Sequence, residues 1–230
     1  MESIFRIEGE FESYHFKNRL NRFAVETEEG KICHLHDPGR LEELLIPGRE
    51  IYAIRKYKGL ECEIIYTKVE DEFILINSKY HNSIAKNIIE KGLLGKNFKL
   101  KKSEIKLNDM RIDFLLDFNE KDYYLEVKGC TLLDGEFAKF PDAPTRRGTH
   151  HLKKLAELRR DGYGAGVLFL VFRKARYFMP NYERDQDFYY ALIDAVRWGV
   201  DIFPLRLYFD GRRFFALGLI EIKIDGPAGI

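Results

Sequence analysis

Glutamine is all but missing: Gln186 is the only one in 230 residues. Cysteine is scarce and odd in number, at Cys33, Cys62 and Cys130, with no Cys-x-x-Cys pair. Three scattered thiols exclude a disulfide-stapled small domain and predict a reducing, cytoplasmic setting without disulfides. No apolar run approaches the roughly 20 residues that a bilayer crossing takes, so no membrane segment is expected. The opening MESIFRIEGEFES is acidic and alternating, so a secretory leader is not expected either. Charge, by contrast, is abundant. Asp, Glu, Lys and Arg make up 33% of the chain, the bias of heat-adapted proteins, and a thermostable chain is expected. With 45% hydrophobic residues, a chain of this length can bury one large core or two modest ones.

The net charge of +1 is unevenly spread. Residues 1–80 hold 12 Lys and Arg against 16 Asp and Glu, a net of −4, and residues 81–230 hold 26 against 21, a net of +5. One basic cluster runs from Lys86 to Lys106 through Lys101 and Lys102. The other runs from Arg146 to Arg160. Clustered cations on a nearly neutral chain suit a polyanion, although on charge alone a solvated, ion-paired surface is the simpler account.

Periodicity divides the chain near residue 80. Before it, alternating strand-like segments run at 4–13, 20–28, 31–36, 49–56, 61–69 and 72–77, punctuated by turn signals at Glu29-Gly30, Pro47-Gly48, Lys58-Gly59 and Glu70-Asp71. A short helix after Asp37-Pro38-Gly39 would carry Leu41, Leu44 and Leu45. This is the pattern of a small closed β-barrel of OB type, which leaves few bare strand edges. After it, NSIAKNIIEKG reads as a helix with Ile84, Ile88 and Ile89 on one face, Asn82 or Ser83 as cap and Gly92 as stop. Strands follow near 98–107, 111–118 and 123–128, then a helix at 148–161 burying Leu152, Leu155 and Leu158. The apolar run 167–172 has the look of a central parallel strand covered on both faces, reached by a right-handed crossover. A helix at 184–198 and a strand pair around Asp210-Gly211 end the chain. The expected fold is mixed α+β: an OB-like barrel at 1–80 and an α/β domain at 81–230 with a central mixed sheet flanked by helices.

The hairpin RIDFLLDFNEKDYYLEVKG, 111–129, carries three charges among apolar residues: Asp113, Glu126 and Lys128. A turn at Asn119–Asp122 sets Phe118 against Tyr123 and Asp113 against Lys128. The three charged residues then share one face, with Ile112, Phe114, Leu116, Phe118, Leu125 and Val127 on the other. Two such carboxylates can share a Mg²⁺ or Mn²⁺ ion with the Val127 carbonyl, and the lysine can act on charge developing at a phosphodiester. Asp followed by Glu-x-Lys on a hairpin is the PD-(D/E)-x-K signature of restriction-endonuclease-like folds, here with Ile112 in place of proline. On spacing alone a cross-strand Asp–Lys pair on a solvated face is the simpler account. Glu104 on the neighbouring strand and Glu90 on the preceding helix are the candidates for a third acidic group. Thr145, Arg146, Arg147, His150 and His151 stand at the start of the crossover helix, where free N–H groups and arginine suit phosphate. Arg19, Arg22 and Arg40 surround the barrel and suit either phosphate contact or balance of its acids. His34 and His36 in CHLH read as surface histidines, because zinc wants four ligands.

Four blocks carry a resemblance: RLNRF (19–23), HDPGRLEELLIPG (36–48), RIDFLLDFNEKDYYLEVKGCTL (111–132) and FPDAPTRRGTHHLKKLAEL (140–158). With them the chain resembles the sugar fermentation stimulation protein family. The resemblance implies an N-terminal OB-fold, a C-terminal nuclease-like domain, DNA as partner without strong sequence preference, and a regulatory role in sugar metabolism. Three functions follow as expectations: a DNA binder with a metal site in a nuclease-like domain, an active metal-dependent DNA endonuclease or phosphodiesterase, and an OB module for oligosaccharide or protein. Homo-oligomers are compatible with the sequence but not required by it.

Overall fold

A computed structural model describes residues 2–56, 59–107 and 110–224. In chain order the strands are β1 (Phe5–Arg6), β2 (Phe11–Asn21), β3 (Ala24–Thr27), β4 (Ile32–Leu35), β5 (Glu50–Arg55), β6 (Cys62–Val69) and β7 (Glu72–Leu75). A 3-10 turn at Ser78–Tyr80 leads into helix α1 (His81–Glu90). Then come β8 (Lys99–Leu107), β9 (Met110–Phe118), β10 (Lys121–Cys130), β11 (Leu132–Asp134), β12 (Phe137–Phe140), α2 (Arg146–Arg160), β13 (Gly164–Val171), β14 (Tyr177–Pro180), α3 (Gln186–Arg197), β15 (Asp201–Phe209), β16 (Arg213–Leu219) and β17 (Glu221–Ile222).

The first sheet has the order β4-β3-β2-β5-β6-β7, and β4 pairs back onto β6 in parallel. That closes five strands into an OB-like barrel, with Phe16, Val25, Leu35, Ile51, Ala53 and Ile64 buried inside. Closure sets Cys33 directly against Cys62 with Cα atoms 4.5 Å apart, and a disulfide joins them. The expectation of a chain without disulfides is thereby corrected. The two cysteines are 29 residues apart in sequence, and only the β4–β6 contact makes them neighbours. A disulfide does not by itself exclude a cytoplasmic setting, since intracellular proteins of hyperthermophiles carry them. Cys130 is a buried free thiol.

Three local expectations also change. The strand expected at 4–13 divides, because β1 pairs with β16 of the larger sheet while β2 begins at Phe11 and runs through the expected gap to Asn21. The helix expected around Leu41–Leu45 is a single turn, in which Leu44 and Leu45 N–H donate to the Leu41 carbonyl. Leu41 itself stands at φ 53°, which no helix continues through. Helix α1 starts one residue before Asn82 and has no side-chain cap; Asn77 caps the 3-10 turn before it instead. Lys58 of the expected Lys58-Gly59 turn lies outside the described residues.

The second sheet has seven strands in the order β1-β16-β15-β13-β10-β9-β8, with β10, β13 and β15 parallel at its centre. β13 is buried along nearly its whole length, as its two-sided apolar sequence requires. One face carries α1 and the barrel, through Ile84, Ile88, Leu116, Leu125, Leu168 and Leu205. The other carries α2 and α3, through Leu152, Leu155, Val167, Phe169, Phe188 and Leu192. A small sheet, β11-β12-β14-β17, sits beside them. Its strands of two to four residues are too short to leave a readable alternation. Among the described residues, no helix is long and apolar enough to cross a membrane.

One buried carboxylate of the barrel domain is a stability switch. Glu63 on β6 is 6% exposed, with Lys56 Nζ at 2.8 Å, Asn77 Nδ2 at 3.0 Å and Lys79 Nζ at 3.4 Å. Burial alone would raise its carboxyl, but these partners win and hold it at about 2. A depressed native value means that Glu63 stabilises the fold above its ordinary range near 4.5 and loses that contribution as pH falls towards 2. Denaturant titrations of wild type and Glu63→Gln at a series of pH values should show the wild type more stable at neutral pH, with the two converging in acid. Parallel curves would show that the carboxylate contributes nothing.

Candidate metal and nucleic-acid site

The hairpin that carries the charged residues turns more tightly than its sequence suggests. Lys121 pairs with Phe118, so the loop is only Asn119 and Glu120, both at positive φ (53° and 61°). That is the mirror-image turn favoured by twisted hairpins. The register therefore moves by two residues from the expected one. Faces are kept, but Glu126, not Lys128, is brought opposite Asp113. The regular ladder stops at Leu125–Phe114. One step on, the Val127 N–H donates to Asp113 Oδ2 at 2.8 Å. Alternation also breaks here: Ile112 packs in the helix-side core and Phe114 in the barrel-side core. Ile112 was expected beside Phe114, and the interruption at Asp113 is why it is not.

Asp113 accepts a second hydrogen bond from Asn82 Nδ2 of α1 at 3.1 Å. Burial, and then the charge of Glu126 beside it, push its carboxyl up to about 6. Glu126 is 3% exposed. Its Oε1 accepts from Lys128 Nζ and from His151 Nδ1 of α2. Burial works to raise the Glu126 carboxyl, but Lys128 and then His151 overcome it and keep the group below its ordinary value. His151 Nε2 in turn faces Arg147 Nε at 3.4 Å. Glu126 Oε2 is buried and has no hydrogen-bond partner among the described residues.

Beside this cluster the two domains lock together. The Arg19 guanidinium donates to the carbonyls of Arg22, Gly39, Arg40 and Asp37, at 2.7 to 3.1 Å. From the other domain, Asp142 Oδ2 accepts the backbone N–H groups of Arg40 (2.9 Å) and Leu41 (3.3 Å). Between the Asp37–Arg40 turn and the 140–148 segment opens a cleft of about 750 Å³. Arg22, Phe23, His34, His36, Lys128 and Arg147 are among the residues that line it.

The sequence candidates thus separate. Asp113, Glu126 and Lys128 come together, and Val127 joins them through its N–H. Thr145 caps α2 by accepting from Gly148 N–H and borders the cleft with Arg22 and Arg147. Glu104 pairs with Arg111 at the surface and Glu90 lies near Lys86, so neither reaches the carboxylates. The position on α1 that does reach them holds the neutral Asn82. Arg19 is spent on carbonyls. Arg40 is turned towards Glu42, and Lys101 is paired with Asp122 at the far end of the hairpin. Lys102, Arg146 and His150 are exposed and do not line the cleft. His151, grouped in sequence with phosphate-binding residues, is buried against Glu126 instead. Sequence reasoning took Asn82 for a helix cap and passed over His81 and Asp142. An Asn at a helix start signals a cap first, and only the packing of α1 on β9 reveals its other partner.

Two family models match the chain in order. Residues 18–76 match the SfsA N-terminal OB domain, and residues 79–213 match the sugar fermentation stimulation protein RE domain. The chain belongs to the sugar fermentation stimulation protein family. It is 37% identical to the family homolog of Thermosipho melanesiensis, across 98% of this chain and 100% of that one. It is 43% identical to the homolog of Sulfurisphaera tokodaii, across 81% and 79%. The solved structure of Pyrococcus furiosus SfsA in complex with Ca²⁺ superposes with a TM-score of 0.90 at 26% identity, covering 97% of this chain and 100% of that one.

Within this family member one glycine guards the site. A Cβ on Gly129, next to Lys128, would stand 2.3 Å from His81 Cε1. The His81 ring is stacked on Phe172 with centroids 5.5 Å apart, so it has little room to withdraw. Gly129→Ala is expected to cost about 1–3 kcal/mol through overpacking, and His81→Ala in the same chain should restore most of it. Thermal melts of the single and double variants check this; equal losses in both would show that the clash is not the cause.

Proposed function

We propose that this family member is a DNA-binding protein with little sequence preference, that Asp113 and Glu126 hold a divalent cation beside the DNA backbone, and that it serves as a regulator of sugar metabolism. The observation that carries the metal site is the orphan Glu126 Oε2, a buried anionic oxygen lacking a partner, next to a second buried carboxylate. Buried polar atoms left alone are costly, and a cation removes that cost. Among the described residues no three Asp, Glu, His or Cys side chains form a complete cage. Two carboxylates nonetheless fit Mg²⁺ or Mn²⁺, which keep several waters and take their remaining ligands from phosphate. The Ca²⁺ complex of the Pyrococcus furiosus protein supports the same reading. The DNA reading is supported by the cleft, where Arg22 and Lys128 meet Arg147 at the first turn of α2, and the regulatory role by the family's name.

A second reading, metal-dependent cleavage of DNA, is favoured by Lys128, whose Nζ lies on the carboxylate of Glu126. When bound, the cation would polarise the phosphodiester and lower the pKa of a water. Lys128 would then stabilise charge developing on phosphorus, and the Arg147–His151–Glu126 chain would orient the second carboxylate.

Calorimetric titration of Mn²⁺ is expected to show one site in the wild type and none in the Asp113→Asn, Glu126→Gln double variant, with both proteins folded. Equal binding in the two would remove the site. Affinity for two unrelated duplexes should fall steeply and in parallel as salt rises, because backbone contacts release counterions. A flat salt response, or strong preference for one duplex, would count against sequence-tolerant backbone binding.

A further inference from the structure

We infer that the β2–β3 tip, with Phe23 at its centre, is a stacking platform for an unpaired nucleobase of the DNA strand in the cleft. The proposal rests on the DNA-binding reading and deepens it by naming the form of DNA. Phe23 keeps 46% of its surface exposed, which is unusual for a phenylalanine on the wall of a charged cleft. It is not a loose side chain on a frayed loop. Its N–H donates to Asn21 Oδ1 at 2.8 Å, its carbonyl accepts from Leu35 N–H at 2.9 Å, and the preceding carbonyl, of Arg22, is held by Arg19 at 2.7 Å. The ring lies nearly parallel to His34, 25° between planes and 6.3 Å between centroids, and the Arg22 guanidinium stands 5.6 Å from its centre.

A flat aromatic surface next to a cation, fixed in advance, is what a base needs. Every base has a π-face, so stacking is indifferent to sequence, and a ring carried on a backbone already held in place leaves less to order on binding. The same cleft holds Lys128 and Arg147, which suit the phosphate of the same strand. A base in the interior of a duplex has both faces covered by its neighbours and cannot offer one to Phe23. The occupant is therefore a nucleotide at a single-stranded overhang or one displaced from its partner. The two tyrosines on the hairpin, Tyr123 and Tyr124, cannot serve, because both are buried.

The test uses the full chain with Ca²⁺ present and two DNAs: a blunt duplex, and the same duplex with a short single-stranded overhang containing 2-aminopurine. Wild type should bind the overhang DNA roughly tenfold more tightly than the blunt one and quench the 2-aminopurine. Phe23→Ala should lose both the preference and the quench while binding the blunt duplex as before, and Phe23→Trp should keep them. An unchanged melting temperature shows that Phe23→Ala is folded. The platform is overturned if Phe23→Ala retains preference and quench, if wild type shows no preference, or if the substitution weakens both DNAs equally. If wild type binds neither DNA, the DNA reading falls and the platform with it.

Discussion

Burying a carboxylate in protein interior is tolerable only in company, and Glu126 is where this structure meets that constraint. Its partners come from two elements: Lys128 from its own strand and His151 from α2. Asp113 adds a second acid directly beside it and is held in turn by α1 through Asn82 and by the Val127 backbone. The position of two helices against the central strand is thus tied to the charge balance of one side chain. Removing a cationic partner would leave the acids to repel each other in a poorly solvated place, and the geometry that brings Lys128 to the cleft would loosen with it.

The cleft itself belongs to neither domain alone. Its floor is the β10 strand with Lys128, its near wall the loop before α2, and its far wall the barrel with Phe23, His34 and the Asp37–Arg40 turn. Arg19 and Asp142 grip that turn from opposite sides. One organises its carbonyls and the other its N–H groups. Gly39 has to be glycine for the two grips to coexist, since a Cβ there would lie 2.7 Å from Asp142 Oδ2 and 3.0 Å from Asp37 Oδ1. The block HDPGRLEELLIPG, legible as a motif, is in physical terms a joint.

Much of the architecture was readable because it is written in periodicity. The isoleucine stripe of α1, the leucine stripe of α2, the two-sided apolar strand β13 and the barrel alternation each follow from what a helix or strand must bury. The trio Asp113, Glu126 and Lys128 was readable because face membership survives a register error of two residues. What was not readable depended on distance in space. The Cys33–Cys62 bridge needs barrel closure, Asn82 needs α1 laid on β9, and His151 needs α2 turned so that one of two adjacent histidines points inward. Basic residues misled for the same reason. Arg19 and His151 stand in the motif blocks, yet each is committed to partners inside the fold, Lys101 is paired with Asp122 at the surface, and a sequence does not show commitment.

A strand of two residues has a consequence for how the chain comes to be folded. β1 is two residues long, but it pairs with β16, and Ile4 and Ile7 are bonded to Phe214 and Arg212 and buried beside them. Residues 4–7 must therefore wait until residues 212–214 have been synthesised. Contacts of such long sequence separation form late and slowly. The barrel can close while synthesis is under way, but the seven-stranded sheet cannot gain its edge until the C-terminal hairpin has emerged. After that the N-terminus stitches both domains along an edge that the cleft does not touch. The domains are then held by β1, by the Arg19–Asp142 joint and by the pairing of Arg173 with Glu72 and Lys174 with Asp71, and opening the cleft by a simple hinge would require at least one of those seams to come undone.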